Sequence, residues 1–236
     1  GAGGGFGSAG GNQGAGGEGG ACVADELAAE LVKSPIDIIM MVDTSFSMQP
    51  AMDSVKAQLE GNFVDILEQS QIDYRVILIA GWGPTAQLTM CVEPPLGGAA
   101  CNPLPSVPAN TAKFFQYPRS LGSGLLPGEL LDYFSAPDPL NVAPSGWSQW
   151  LRDDAFKVFV TISDTSSTSS DTSLGDAFDA ALLALDPPVF GVPGDRRYVY
   201  HSIIGLQAKP TPDEAHLATD PIVGAACTGY PGGVGP

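Results

Sequence analysis

An acid and two hydroxyls follow directly on an apolar run in the stretch "IIMMVDTSFSM". The run ends at Asp43, and Ser45 and Ser47 come next at alternate positions. Oxygens of this kind are the ligands that hard divalent cations such as Mg²⁺ and Ca²⁺ prefer. The spacing therefore indicates a metal site on a loop between a strand and a helix. The competing interpretation is helix capping, which needs only one such residue.

A second acid, Asp164, follows another apolar run. Residues 156–163, "FKVFVTIS", are typical of a buried strand, and Asp164 comes directly after them. In a parallel sheet the carboxyl ends of the strands lie along one edge, where such folds bind their ligands. We therefore expect Asp164 to lie near Asp43 and to share the same cation.

The rest of the chain predicts the elements that would position these residues. Apolar runs and helical spacing alternate along the sequence. The predicted strands are 36–42, 73–80, 86–92, 113–118, 156–163 and 197–205, and the predicted helices are 50–69, a segment from Pro127, and 172–185. This alternation predicts an α/β fold, a doubly wound, mostly parallel sheet with helices on both faces. Residues 86–92 would add one antiparallel edge strand as a hairpin after "GWGP".

Composition divides the chain into three parts. Residues 1–21 are Gly-rich and are predicted to be a linker or arm, since they bury too little apolar area to offset their chain entropy. Residues 22–206 would form the folded domain, and residues 207–236 a Pro/Gly-rich tail. The chain starts with Gly and shows no secretory leader, so we expect it to be processed from a longer precursor.

The first loop and the order of the elements resemble the von Willebrand factor type A (VWA) domain family over residues 35–206. "IIMMVDTSFSM" is similar to that family's first strand and metal loop, and "WLRDDAFKVFVTISD" to the run into its third loop. The resemblance is closest to secreted bacterial members. It implies a metal-ion-dependent adhesion site that holds Mg²⁺ or Ca²⁺ through Asp43, Ser45, Ser47 and Asp164.

The same resemblance implies one further ligand and a partner. A hydroxyl from a second loop is expected, and Ser123 in "SLGSGLLPGELL" is assigned to it, with Ser120 as the alternative. A carboxylate from a protein ligand would complete the coordination. The family's fold continues with a helix and a strand after 197–205, and residues 206–236 predict neither. The sheet would then end early and leave an open edge for self-association.

Four cysteines predict an oxidising compartment. Cys91 and Cys101 flank the Pro/Gly-rich loop "CVEPPLGGAAC" and are predicted to form a disulfide, the alternative being two buried thiols. Cys22 and Cys227 would pair with each other or with cysteines outside the chain. None of the four forms a CxxC pair, which disfavours zinc.

The net charge and the absence of certain motifs argue against nucleic-acid binding, membrane binding and enzymatic activity. The formal net charge of −16 offers no basic surface for nucleic acid or anionic membranes, and no apolar run is long enough to span a bilayer. No nucleophile elbow or phosphate loop appears, so an enzyme is not expected. The sequence predicts an extracellular or cell-surface adhesion module. The alternatives are a structural subunit of an extracellular assembly and a metal-assisted hydrolase.

Overall fold

A computed structural model of the chain describes residues 34–122, 126–164, 173–204 and 211. Its strands in chain order are β1 Ile36–Val42, β2 Tyr74–Ala80, β3 Phe114–Pro118, β4 Phe156–Ser163, β5 Gly191–Val192, β6 Asp195–Arg196 and β7 Tyr198–Ile204. Five of them form a parallel sheet in the order β3-β2-β1-β4-β7, and β5 and β6 pair separately as an antiparallel ribbon. The predicted α/β architecture is confirmed.

Helices cover both faces of this sheet. They are α1 Gln49–Gln58, α2 Val64–Ser70, α3 Leu126–Asp132 and α4 Ser173–Leu183, and a π-helical turn, Leu59–Phe63, joins α1 to α2. Together with that turn, α1 and α2 correspond to the single helix predicted over 50–69. None of the helices in the described ranges is long and apolar enough to cross a membrane.

Alternate residues of β1 build the two halves of the core, because successive strand side chains point to opposite faces. Met40 and Val42 pack with Met52 of α1 and Val64 of α2. On the other face, Ile39 and Met41 belong to an aromatic-rich cluster that includes Leu130 of α3, Trp147, Phe159 and Phe178 of α4. The nearly unbroken apolar runs in the sequence thus reflect a sheet that is buried on both sides.

The prediction of an antiparallel strand at residues 86–92 is wrong. This segment forms turns and irregular structure, because β3 already pairs with the outer edge of β2. The segment is instead fixed at Met90, whose N–H donates to the Gly81 carbonyl at 2.9 Å. The Met90 carbonyl accepts a buried hydrogen bond from Gln116 Nε2 at 2.7 Å. The tail for which no final helix or strand is predicted, 206–236, lies outside the described residues except for residue 211.

A buried ion pair closes the amino end of the sheet. Asp37 of β1 is fully buried and accepts from Arg152 Nε at 2.8 Å and from the Arg152 backbone N–H at 2.7 Å. Arg152 also pairs with Asp73 at 2.9 Å. The buried Lys157 ammonium donates to the carbonyls of Arg152 and Ala155, both at 2.7 Å. Charge at this end of the sheet is therefore matched within the protein.

The predicted Cys91–Cys101 disulfide is present, with the two Cα atoms 5.8 Å apart. Its loop is further held by the Cys101 N–H, which donates to Glu93 Oε1 at 3.0 Å. Cys22 and Cys227, for which a second bond is predicted, lie outside the described residues. The domain boundaries predicted at residues 21 and 206 likewise stay predictions.

Reducing the Cys91–Cys101 bond is expected to lower the free energy of unfolding by about 2–3 kcal/mol, because the unfolded chain regains the entropy of an open loop. Urea unfolding with and without dithiothreitol measures this in a Cys22→Ser/Cys227→Ser background, where no other thiols contribute. The matched control adds Cys91→Ser and Cys101→Ser, and it should show no effect of dithiothreitol. Alkylation of Cys91 in the non-reduced protein would contradict the bond.

Candidate metal centre

The predicted site lies where the sheet changes its direction of winding. The chain passes outward from β1 to β2 and β3, and then returns to place β4 on the other side of β1. Doubly wound sheets bind ligands at such a switch point, beyond the carboxyl ends of the two central strands. Asp43 directly follows β1 and Asp164 directly follows β4. The Asp43 N–H donates to the Ile162 carbonyl at 2.9 Å, so the two strand ends are joined at this point.

The Asp43 carboxylate is fully buried, and its hydrogen-bond donors among the described residues are neutral. The Ser45 N–H donates to its Oδ1 at 2.9 Å, and the Ser163 hydroxyl donates to its Oδ2 at 2.8 Å. No Lys, Arg or His in the described part of the chain forms an ion pair with it. A carboxylate removed from water is costly unless a cation compensates its charge. Asp37, at the opposite end of the same strand, has that compensation in Arg152.

The two predicted serine ligands stand side by side at the start of the helical segment. Ser45 Oγ and Ser47 Oγ lie 3.0 Å apart on the exposed side of the loop. The Ser45 side chain forms no capping hydrogen bond to the 3₁₀ turn Phe46–Met48 that follows it. Local capping therefore accounts for the contact between Asp43 and the Ser45 N–H, whereas the Ser45 and Ser47 hydroxyls contact each other.

The second loop lies against the first, although its predicted ligand Ser123 is outside the described residues. The Thr44 N–H reaches the Leu121 carbonyl at 3.5 Å, and Gly122 N–H donates to Glu129 Oε2 of α3 at 3.0 Å. The alternative ligand, Ser120, is exposed and packs close to Gly81, where an added Cβ would meet Ser120 Oγ at 2.9 Å. The described part of this loop is thus fixed between β1 and α3.

Three residues of the site were not singled out from the sequence. Ser163 is the last residue of β4, where the apolar run conceals its role as a donor to Asp43. Thr44 is 1% exposed, and its hydroxyl has no partner among the described residues. Phe46 is 66% exposed between the two serines, so an apolar ring lies at the rim of the site. The D-x-S-x-S spacing points to the loop, but it gives no information about Thr44 and Phe46, which lie between its three residues, or about Ser163 on β4.

The residue types present suit a hard cation that is bound by oxygen. The described residues include no cluster of three or more His, Cys, Asp or Glu side chains that would hold a metal. The predicted ligand set is different in kind, because it combines the acids Asp43 and Asp164 with hydroxyls. Such a set favours Mg²⁺ or Ca²⁺ over the transition metals that prefer nitrogen and sulfur.

Comparison of the chain with protein-family models, with curated proteins and with solved structures found no match. The resemblance to VWA domains therefore stays a prediction from the sequence.

Proposed function

We propose that this chain is an extracellular, metal-dependent protein-binding module of the VWA type. Asp43, Ser45, Ser47 and Asp164 would hold a divalent cation, Mg²⁺ or Ca²⁺, with a hydroxyl from the second loop, Ser123 or Ser120. When bound, the cation would offer an open coordination position to a carboxylate of a protein ligand. The chain's own residues orient the site, since Ser163 and the Ser45 N–H fix both oxygens of Asp43.

The observation that carries this proposal is the buried, uncompensated charge of Asp43. Asp37 within β1 and Asp43 directly after it are both fully buried, yet of these two only Asp37 has a cationic partner among the described residues. Asp43 faces the switch point of the sheet, which is the place where this fold class binds ligands. A divalent cation would supply the missing positive charge there. The Cys91–Cys101 disulfide further supports an extracellular location, because such bonds persist in oxidising compartments.

Calorimetric titration with Mg²⁺, Mn²⁺ and Ca²⁺ tests the site. The wild-type protein is expected to bind one ion, and Asp43→Ala is expected to bind none, because it removes the buried anionic ligand. Asp154→Ala is the matched control, since it removes an exposed carboxylate at the other end of β4. Equal heats for wild type and Asp43→Ala would contradict the proposal.

A structural subunit of an extracellular assembly is the second candidate, and the edge of the sheet favours it. β7 is the last strand of the described sheet, and it exposes Val199 and Ile203, the latter at 58%. Exposed apolar edge strands promote pairing between chains. Light scattering separates this candidate from a monomeric binding module.

A further inference from the structure

A cleft opens beside the candidate metal centre, at the carboxyl ends of β2 and β3. Its volume is about 180 Å³, and its lining includes Trp82, Thr85, Pro118, Arg119, Ser120 and Leu140. Trp82 follows β2 and Arg119 follows β3, so both walls continue from strands of the central sheet. The cleft therefore lies along the same edge of the sheet as Asp43.

Arg119 stands apart from the other basic side chains. Of the eight Lys and Arg side chains in the described ranges, it is the one whose nitrogens contact no carboxylate or carbonyl oxygen. The other seven each bond at least one, namely Lys56, Arg75, Lys113, Arg152, Lys157, Arg196 and Arg197. The Arg119 guanidinium instead lies over the ring of Tyr133, with its Cζ 4.5 Å from the centroid. In a chain with 26 acidic residues and 10 Lys and Arg, a half-buried cation without an acidic partner among the described residues is conspicuous.

The cleft and the metal loop share backbone contacts. One wall is joined to the loop through Leu121, whose carbonyl accepts from Thr44 N–H. The other wall is joined through Leu88, whose N–H donates to the Thr44 carbonyl at 3.2 Å, and through Gln87, whose Oε1 accepts from Phe46 N–H at 3.2 Å. Both walls of the cleft are therefore connected to the loop that carries Asp43.

We propose that the cleft is a second subsite for an acidic protein ligand, in which Arg119 pairs with a carboxylate side chain of that ligand. Guanidinium and carboxylate groups match in charge and in hydrogen-bond geometry, and the contact with the Tyr133 ring helps to position the guanidinium. The partner is thus a segment with at least two acidic side chains, one directed to the metal and one to Arg119. The location of the first side chain rests on the proposed function, but the pairing with Arg119 does not.

NMR titration with two capped pentapeptides tests the subsite, at low ionic strength because salt screens exposed ion pairs. The probes are acetyl-Gly-Glu-Gly-Glu-Gly-amide and its counterpart with Gln in place of Glu. The Arg119 Nε–H signal is expected to shift with the Glu peptide and to stay in place with the Gln peptide. Trp82 is a second reporter in the same cleft, since its indole N–H has no acceptor among the described residues. Arg119→Gln is expected to weaken binding of the Glu peptide about tenfold, the loss of one charge-assisted contact.

Arg197→Gln is the matched control, because it makes the same change in net charge at the amino end of the sheet and should bind the peptide as wild type does. Running the titration in EDTA separates the two proposals. An Arg119 shift in EDTA supports the subsite even if calorimetry finds no metal at Asp43. An unmoved Arg119 signal, or equal affinities for Arg119→Gln and Arg197→Gln, overturns the subsite even if the metal binds.

Discussion

Replacing Asp43 by Asn is expected to raise the free energy of unfolding in EDTA and to abolish stabilisation by Mg²⁺ or Ca²⁺. Without metal, the substitution removes a buried charge that has no cationic partner among the described residues, which should stabilise the fold by about 1–4 kcal/mol. The amide fits the same contacts. Its oxygen accepts from the Ser45 N–H, and the Ser163 hydroxyl turns to accept from the new Nδ2 group.

With metal the difference in stability changes by the binding free energy of the cation. Wild type should gain about 2.7 kcal/mol at a cation concentration one hundred times its Kd, since only the folded state binds. Asp43→Asn should gain almost nothing, because its neutral side chain is a poor ligand for a hard cation. Urea unfolding in EDTA and in excess cation measures both effects, with Asp154→Asn as the exposed control. A loss of stability in EDTA comparable to that of a disrupted core would show that Asp43 is compensated within the chain.

Most of the fold could be predicted from the sequence, because its central strands are continuous apolar runs. β1, β2 and β4 each lie within one residue of the predicted range, since a strand that is buried on both faces is recognised from its apolar run. β7 also lies within one residue of its predicted range, although it is an edge strand of the described sheet that exposes Val199 and Ile203. Residues 86–92 show the limit of this pattern. Met90, Cys91 and Val92 are buried as a strand's would be, yet they pack as a loop because β3 takes the adjacent edge.

The sequence pointed to the candidate site through two patterns. The D-x-S-x-S spacing predicted Asp43, Ser45 and Ser47 because one loop holds all three, and the end of a second apolar run predicted Asp164. Ser163 is 120 residues from the carboxylate to which it donates, and its type is common at strand ends. Arg119 was equally inconspicuous, because the sequence does not show which acidic side chains the fold places beside a single basic residue.

Asp37, near the amino end of β1, was also not recognised from the sequence, because its partner Arg152 is 115 residues away. Its replacement is expected to have the largest effect on stability. Asp37→Asn should lower the free energy of unfolding by about 3–5 kcal/mol, because it leaves the Arg152 guanidinium largely buried without its closest anion. The new amide keeps one oxygen, so its NH₂ group would face one of the two Arg152 N–H donors that the carboxylate now accepts from. Lys157 adds to the loss. Burial already lowers the pKa of its ammonium, and the nearby charge of Asp37 opposes that shift.

Asp73→Asn is the matched control for this prediction, because Asp73 pairs with the same guanidinium at 2.9 Å but has 68% of its side chain exposed. Its loss should cost no more than about 1 kcal/mol, as for other exposed ion pairs. Adding Arg152→Met to Asp37→Asn should recover part of the lost stability, since the uncompensated cation is then removed as well. Urea unfolding of the four proteins gives the comparison. Similar losses for Asp37→Asn and Asp73→Asn would mean that burial of the pair at the amino end of β1 contributes nothing, and the contrast between Asp37 and Asp43 would then fail as support for a cation at the carboxyl end.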